Sequence, residues 1–382
     1  MQLLHSRRVQ VSVAAGMTMV LAVTAMWLLS PRDTASVSAT PTLTASPRPT
    51  ARATVPPSAA ATASPAPTPE PAARCPLNGL PAADPALLDR TALAVQIENH
   101  PAARPARNLT RADMVVEATV EGDTTRFTAV FLCQPTLGMT GPIRSARYYN
   151  IDLWQDLGVL TVGFGASNGA LSRFRAAGMP YANGITGAWP WFRRHGTNAA
   201  PHNLYGDVEA VRAALGSNAA LDRLAANVRE LRPQLAFDPE PEVPRGRAVA
   251  RLEIRTNSYW RIGWRFDEEL GAWRRLDAGV EIHDEATGQP VTARTVVVQR
   301  VTQETVYDDP DPAGNPRRLQ HLVGSGSGTL YVDGTAIDVR WSRPAADAGT
   351  TWTYADSGEP VVLPPGVVWW EIVPVGSSLT EA

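Results

Sequence analysis

The chain of 382 residues has no lysine; all 35 basic side chains are arginine, against 37 acidic ones, for a formal net charge of −2. Without a side-chain amine, Schiff-base chemistry, the phosphate-cradling lysine of a P-loop, kinase chemistry and serine/lysine catalytic pairs are excluded. The missing basic excess argues against a nucleic-acid partner. Cysteine is scarce, and the wide spacing of Cys75 and Cys133 excludes a CxxC metal or redox motif. The six histidines have no metal-ligand spacing, so neither a metal nor a cofactor is expected. Gly324 to Gly328 (GSGSG) precedes no helix, so it leads into a strand rather than cradling phosphate. The length suggests about two domains.

What is present begins with location. Arg7 and Arg8 precede an uncharged apolar run, Val9 to Leu29, long enough to span a bilayer once. The charge bias puts residues 1–8 in the cytoplasm as a stub and everything after 9–29 outside. Cleavage of the segment as a signal, after the small residues Val37-Ser38-Ala39, is the competing reading. Residues 30–74 are dominated by Ala, Pro, Ser and Thr; of the 44 residues from Pro31 to Arg74, 35 are of these four types. Such a composition predicts a disordered tether, which at about 3.1 Å per residue reaches roughly 135 Å. In an oxidising compartment Cys75 and Cys133 could pair, closing a loop worth on the order of 4 kcal/mol; two unpaired thiols are the alternative.

Residues 75–245 read as a mixed α/β domain built on a β-hairpin. Ala92 to Glu98 is a strand, and Met114 to Cys133 forms two more around a two-residue turn at Gly122-Asp123. That turn would put Glu117, Thr119 and Glu121 on one face with Arg126 and Thr128, either as half of a catalytic site or as a solvated face with weak ion pairs. Arg144 and Arg147, three residues apart with Ser145 between them, sit where a helix begins. There they suit an anion clamp, or ion pairs with the glutamates. Strand Val159 to Gly165 leads through Ser167 into a helix, the kind of turn where open α/β sheets bind ligands. Aromatic and arginine clusters at Trp189 to His195, and the segment Pro201 to Tyr205 with His202 and Asn203, suggest a binding surface.

The blocks ENHPAARP (Glu98 to Pro105), ADMVVEATVEGDTTRF (Ala112 to Phe127), GPIRSARYYNIDL (Gly141 to Leu153) and PHNLY (Pro201 to Tyr205) resemble, in this order, the YerB-like family of bacterial extracytoplasmic proteins. The resemblance implies a family of unknown biochemical function whose members are often lipoproteins, some tied to regulation of peptidoglycan synthases. It brings no established catalytic residues. No cysteine follows the apolar run here, so the anchor would be a helix rather than a lipid.

Residues 246–377 are β throughout, with Trp260, Ile262, Trp264 and Phe266 alternating with polar positions and a second two-residue turn at Asp333-Gly334. The whole reads as an α+β protein: the α/β domain followed by a mainly antiparallel β domain. The expected function is a membrane-tethered binding or regulatory module, not an enzyme, whose partner is an envelope synthase or a wall component. The alternative is an enzyme or carrier for a phosphorylated or anionic wall precursor. In it Arg126, Arg144 and Arg147 hold the anion, assisted by Ser145, His202 and Asn203, and Glu117 or Glu121 is the general base.

Overall fold

The computed structural model describes residues 73–382, apart from positions 136, 137, 156 and 188. The stub, the apolar segment 9–29 and nearly all of the tether lie outside these residues. Among the described residues no helix is long and apolar enough to cross a membrane.

One mixed sheet of eleven strands runs through the protein. The first region supplies β1 (Ala92–Glu98), β2 (Met114–Thr119), β3 (Thr125–Phe131), β4 (Val159–Gly163) and β5 (Tyr181–Asn183). The second supplies β6 (Arg247–Ala248), β7 (Arg251–Arg255), β8 (Arg261–Asp267), β9 (Ala272–Asp277), β10 (Thr295–Val301), β11 (Gly324–Val332), β12 (Thr335–Arg343), β13 (Val368–Pro374) and β14 (Ser378–Glu381). The order across the large sheet is β6-β12-β11-β10-β13-β2-β3-β1-β4-β5, with Thr351–Tyr354 pairing on β12. The two regions join where β13 lies parallel to β2, so the sheet is continuous across both. Strands β7, β8, β9 and β14 form most of a smaller antiparallel sheet. The fold is thus mainly β with a mixed N-terminal part, as the alternation patterns imply.

Every residue of β1, β2 and β3 is buried, because both faces of the large sheet are covered. On one face Ala94, Val116, Ala118 and Val130 pack with Tyr149, Leu153 and Trp154 of helix α1 (Tyr148–Trp154) and with Phe174 of helix α2 (Asn168–Ala176). On the other, Val95, Val115, Phe127 and Trp369 pack with Leu252, Trp264 and Trp273 of the smaller sheet. Cys75 and Cys133 are joined by a disulfide at the edge of the first cluster, 58 residues apart in sequence.

The hairpin departs from the expected register by one residue. Gly122-Asp123 is not a two-residue turn; Glu121–Asp123 form a 3-10 turn with Gly122 at φ 71°, and Val120 N–H donates to the Thr124 carbonyl at 2.9 Å. Opposed residues are therefore Glu117 with Phe127 and Ala118 with Arg126. With a side-chain period of two, this slip sends Glu117 and Arg126 to opposite faces, and neither face is solvated. The turn at Asp333-Gly334 forms as expected, pairing Val332 with Thr335 and Leu330 with Ile337.

Helix α1 starts later than expected. Arg147 is its N-cap in extended conformation (φ −129°), so Arg144 lies outside the helix and the two arginines do not share a helix face.

Candidate functional site

The strands β1, β4 and β5 are parallel neighbours, and the carboxyl ends of such strands are where ligands bind in open α/β sheets. Pairing of β1 with β4 stops at Val95 and Val162. Beyond that point residues 142–144 wedge between the strands. Pro142 carbonyl accepts from Glu98 N–H, Arg144 N–H donates to the Gln96 carbonyl, and Arg144 carbonyl accepts from Phe164 N–H, each at 2.9 Å. This segment delivers Arg144, Ser145 and Arg147 to the carboxyl end of β1. The turn after β2 delivers Glu121, and β3 delivers Arg126.

The arginines meet there, but on separate partners. Arg147 forks onto Glu121, with Nε at 2.6 Å from Oε2 and Nη2 on Oε1. Arg317 Nη1, from the second region, donates to the same carboxylate at 2.7 Å. Arg144 Nε lies 3.3 Å from Glu98 Oε1, and His202 Nδ1 lies 3.2 Å from that oxygen. The His202 ring stacks on His100 at 4.7 Å. Arg126 Nη1 and Arg147 Nη1 both donate to the Ser145 carbonyl at 3.0 Å, while Ser145 Oγ donates to the Phe164 carbonyl at 2.9 Å. Asn203 lies outside this cluster, accepting from Arg194 Nη1 at 2.7 Å.

Arg126 is 4% exposed, and among the described residues no carboxylate lies within ion-pair distance of it. Its Nε and the Oε2 of Glu98, itself 3% exposed, are buried without a hydrogen-bond partner. Burial depresses the pKa of Arg126, Arg144 and Arg147, the last to about 10, with neighbouring guanidinium groups acting in the same direction on Arg144 and Arg147. All three stay charged at neutral pH, in a place that is short of negative charge.

Glu117 belongs elsewhere. It has no solvent exposure and lies on the opposite face, gripped by Arg275 Nη2 at 2.8 Å and Nε at 3.1 Å. Thr125 Oγ1 (2.6 Å), Asn99 Nδ2 (3.2 Å) and Trp369 Nε1 (3.3 Å) also donate to it. Enclosed by these donors and without solvent exposure, it is out of reach of a substrate. The expected convergence of Glu117, Glu121, Arg126, Arg144 and Arg147 in one pocket therefore does not form, although the last four do cluster.

Glu98, Arg275, Arg317 and Glu371 were not singled out by sequence. Glu98 ends the predicted first strand and opens the ENHPAARP block, which was the available signal. Arg275 and Arg317 lie 149 positions or more beyond Arg126 in the chain, and no local pattern announces them. Among the described residues one trio, Cys75, Asp113 and Cys133, is close enough to hold a metal ion, but both thiols are consumed by the disulfide. Asp113 is already occupied, accepting from Leu132 N–H and Cys133 N–H at 2.7 Å and from Asn78 at 3.0 Å.

Residues 77–221 match the N-terminal domain, and residues 250–370 the C-terminal domain, of the protein family of unknown function DUF3048. Over 273 residues the chain is 27% identical to "Putative lipoprotein YerB" of Bacillus subtilis (strain 168), spanning 71% of this chain and 77% of that one. The crystal structure of YerB protein from Bacillus subtilis has a similar fold, with a TM-score of 0.66 and 27% identity over 81% of this chain and 99% of that one.

Proposed function

We infer the function from the chain's membership of the YerB-like family, the DUF3048 proteins, to which it belongs: it is a membrane-tethered extracytoplasmic binding module, not an enzyme, that tunes cell-envelope synthesis through a synthase or a wall component. The apolar segment at 9–29 and the Ala/Pro/Ser/Thr-rich tether support its placement outside the membrane on a single span, and a relative named "Putative lipoprotein YerB" is consistent with an envelope location.

The observation that carries the reading is the fate of the two carboxylates suited to general-base work. Glu117 is enclosed by Arg275, and Glu121 by Arg147 and Arg317, so the arginine cluster is equipped to hold a ligand and not to transform it. Cross-linking the full-length chain in its own membranes, followed by identification of what it captures, tests the reading. Enrichment of an envelope synthase supports it, and recovery of abundant bystanders alone counts against it.

A further inference from the structure

We propose that the cluster of charged side chains beyond the carboxyl ends of β1 and β4 binds a small zwitterion, an amine and a carboxylate carried on one carbon. The carboxylate docks on the free edge of Arg126 and the ammonium on Oε2 of Glu98. The proposal rests on the reading of this region as a binding site.

Two buried groups of opposite charge are each left with an open valence. Arg126 spends Nη1 on the Ser145 carbonyl and keeps Nε unpartnered at 4% exposure. A guanidinium edge with two parallel N–H vectors matches the two oxygens of a carboxylate. Glu98 Oε1 lies within ion-pair distance of Arg144 and His202, while Oε2 has no donor. An isolated buried charge is costly, and so is an unmade charged hydrogen bond. A ligand supplying one acceptor and one donor would satisfy both atoms, whereas a simple anion would satisfy only the first.

The spacing selects the ligand further. Glu98 and Arg126 are directly opposed on β1 and β3, where side chains start about 5 Å apart. That suits groups separated by a single carbon. Arg144 and His202, whose side chains are 28% and 21% exposed, are the members of the cluster in contact with solvent.

Calorimetric titration of the full-length chain in detergent tests this, with L- and D-alanine, N-acetylalanine, alaninamide, acetate and inorganic phosphate as probes. Alanine is expected to bind, and blocking either its amine or its carboxylate to weaken binding about tenfold or more, as loss of a charged hydrogen bond implies. Arg126→Gln should abolish binding. Glu98→Gln should erase the preference for alanine over N-acetylalanine, a readout that a simple folding defect would not give. Equal binding of the blocked probes, tighter binding of phosphate, or no saturation by either alanine overturns the proposal. If alanine fails while cross-linking still recovers a synthase, only the zwitterion site falls. If alanine binds and no synthase is recovered, only the partner reading falls.

Discussion

Glu117 and Glu371 are register partners on the parallel strands β2 and β13, so two buried carboxylates stand side by side at the seam between the two regions. Arg275 reaches them from β9 of the smaller sheet and bonds Glu117 directly. Trp264 Nε1 donates to Glu371 at 3.0 Å. One cation cannot balance two anions, and the pKa of Glu371 is raised well above the ordinary value, by burial first and by the charge of Glu117 second.

A folded-state pKa raised above the unfolded one stabilises the fold fully below the unfolded value, and that stability is lost as pH rises through the folded one. Wild-type stability should therefore fall on the alkaline side as Glu371 is forced to ionise. Glu371→Gln keeps the acceptor for Trp264 and cannot ionise, so the variant should gain on wild type as pH rises. Urea unfolding at mildly acidic and alkaline pH measures the gap; a gap that is constant with pH refutes the raised pKa of Glu371.

Removing the cation acts in the opposite way. Arg275 and Glu117 both have side chains with no exposure, so Arg275→Met leaves a buried carboxylate without its partner and should cost about 3 to 5 kcal/mol. Replacing Glu117 and Arg275 together with apolar residues should cost less than Arg275→Met alone. Denaturant titrations of the single and double variants decide this.

Glu121 offers a parallel test at the other site. Its side chain is 8% exposed and serves two arginines, so Glu121→Gln should destabilise by about 3 kcal/mol. A general base of no structural consequence would instead leave the melting temperature unchanged.

The disulfide closes a loop of 58 residues. Cys75→Ser with Cys133→Ser should lose on the order of 4 kcal/mol in the chain-entropy model, and reduction of the wild type should lower its thermal midpoint to that of the double variant.

Legibility from sequence followed the range of the interactions. Asp333-Gly334 has positive φ at both positions, 50° and 69°, the geometry that an Asp-Gly pair favours, so local chemistry set the β11–β12 register. Gly122-Asp123 offers the glycine first, and only Gly122 takes positive φ. There Glu121 is held by Arg147 and Arg317, and these distant contacts accompany a longer turn and a register shifted by one. Alternation marked β8, where Trp264 is buried and Arg261 exposed. It misled for β2 and β3, because a sheet covered on both faces buries polar residues such as Glu117 and Arg126 as fully as apolar ones. The arginines of the cluster were visible; their carboxylate and cationic partners came from Glu98 and from Arg317, which only the tertiary fold brings near.

The union of β2 with β13 also sets an order of events during synthesis. Residues 114–119 cannot acquire their second neighbour until residues 368–374 have emerged, close to the end of the chain. Until then β2 presents an open edge of largely apolar residues, the kind of surface that recruits stray strands. A fragment cut at residue 245 would keep that edge permanently, so expression of the first region alone should yield aggregates where the intact chain yields monodisperse protein.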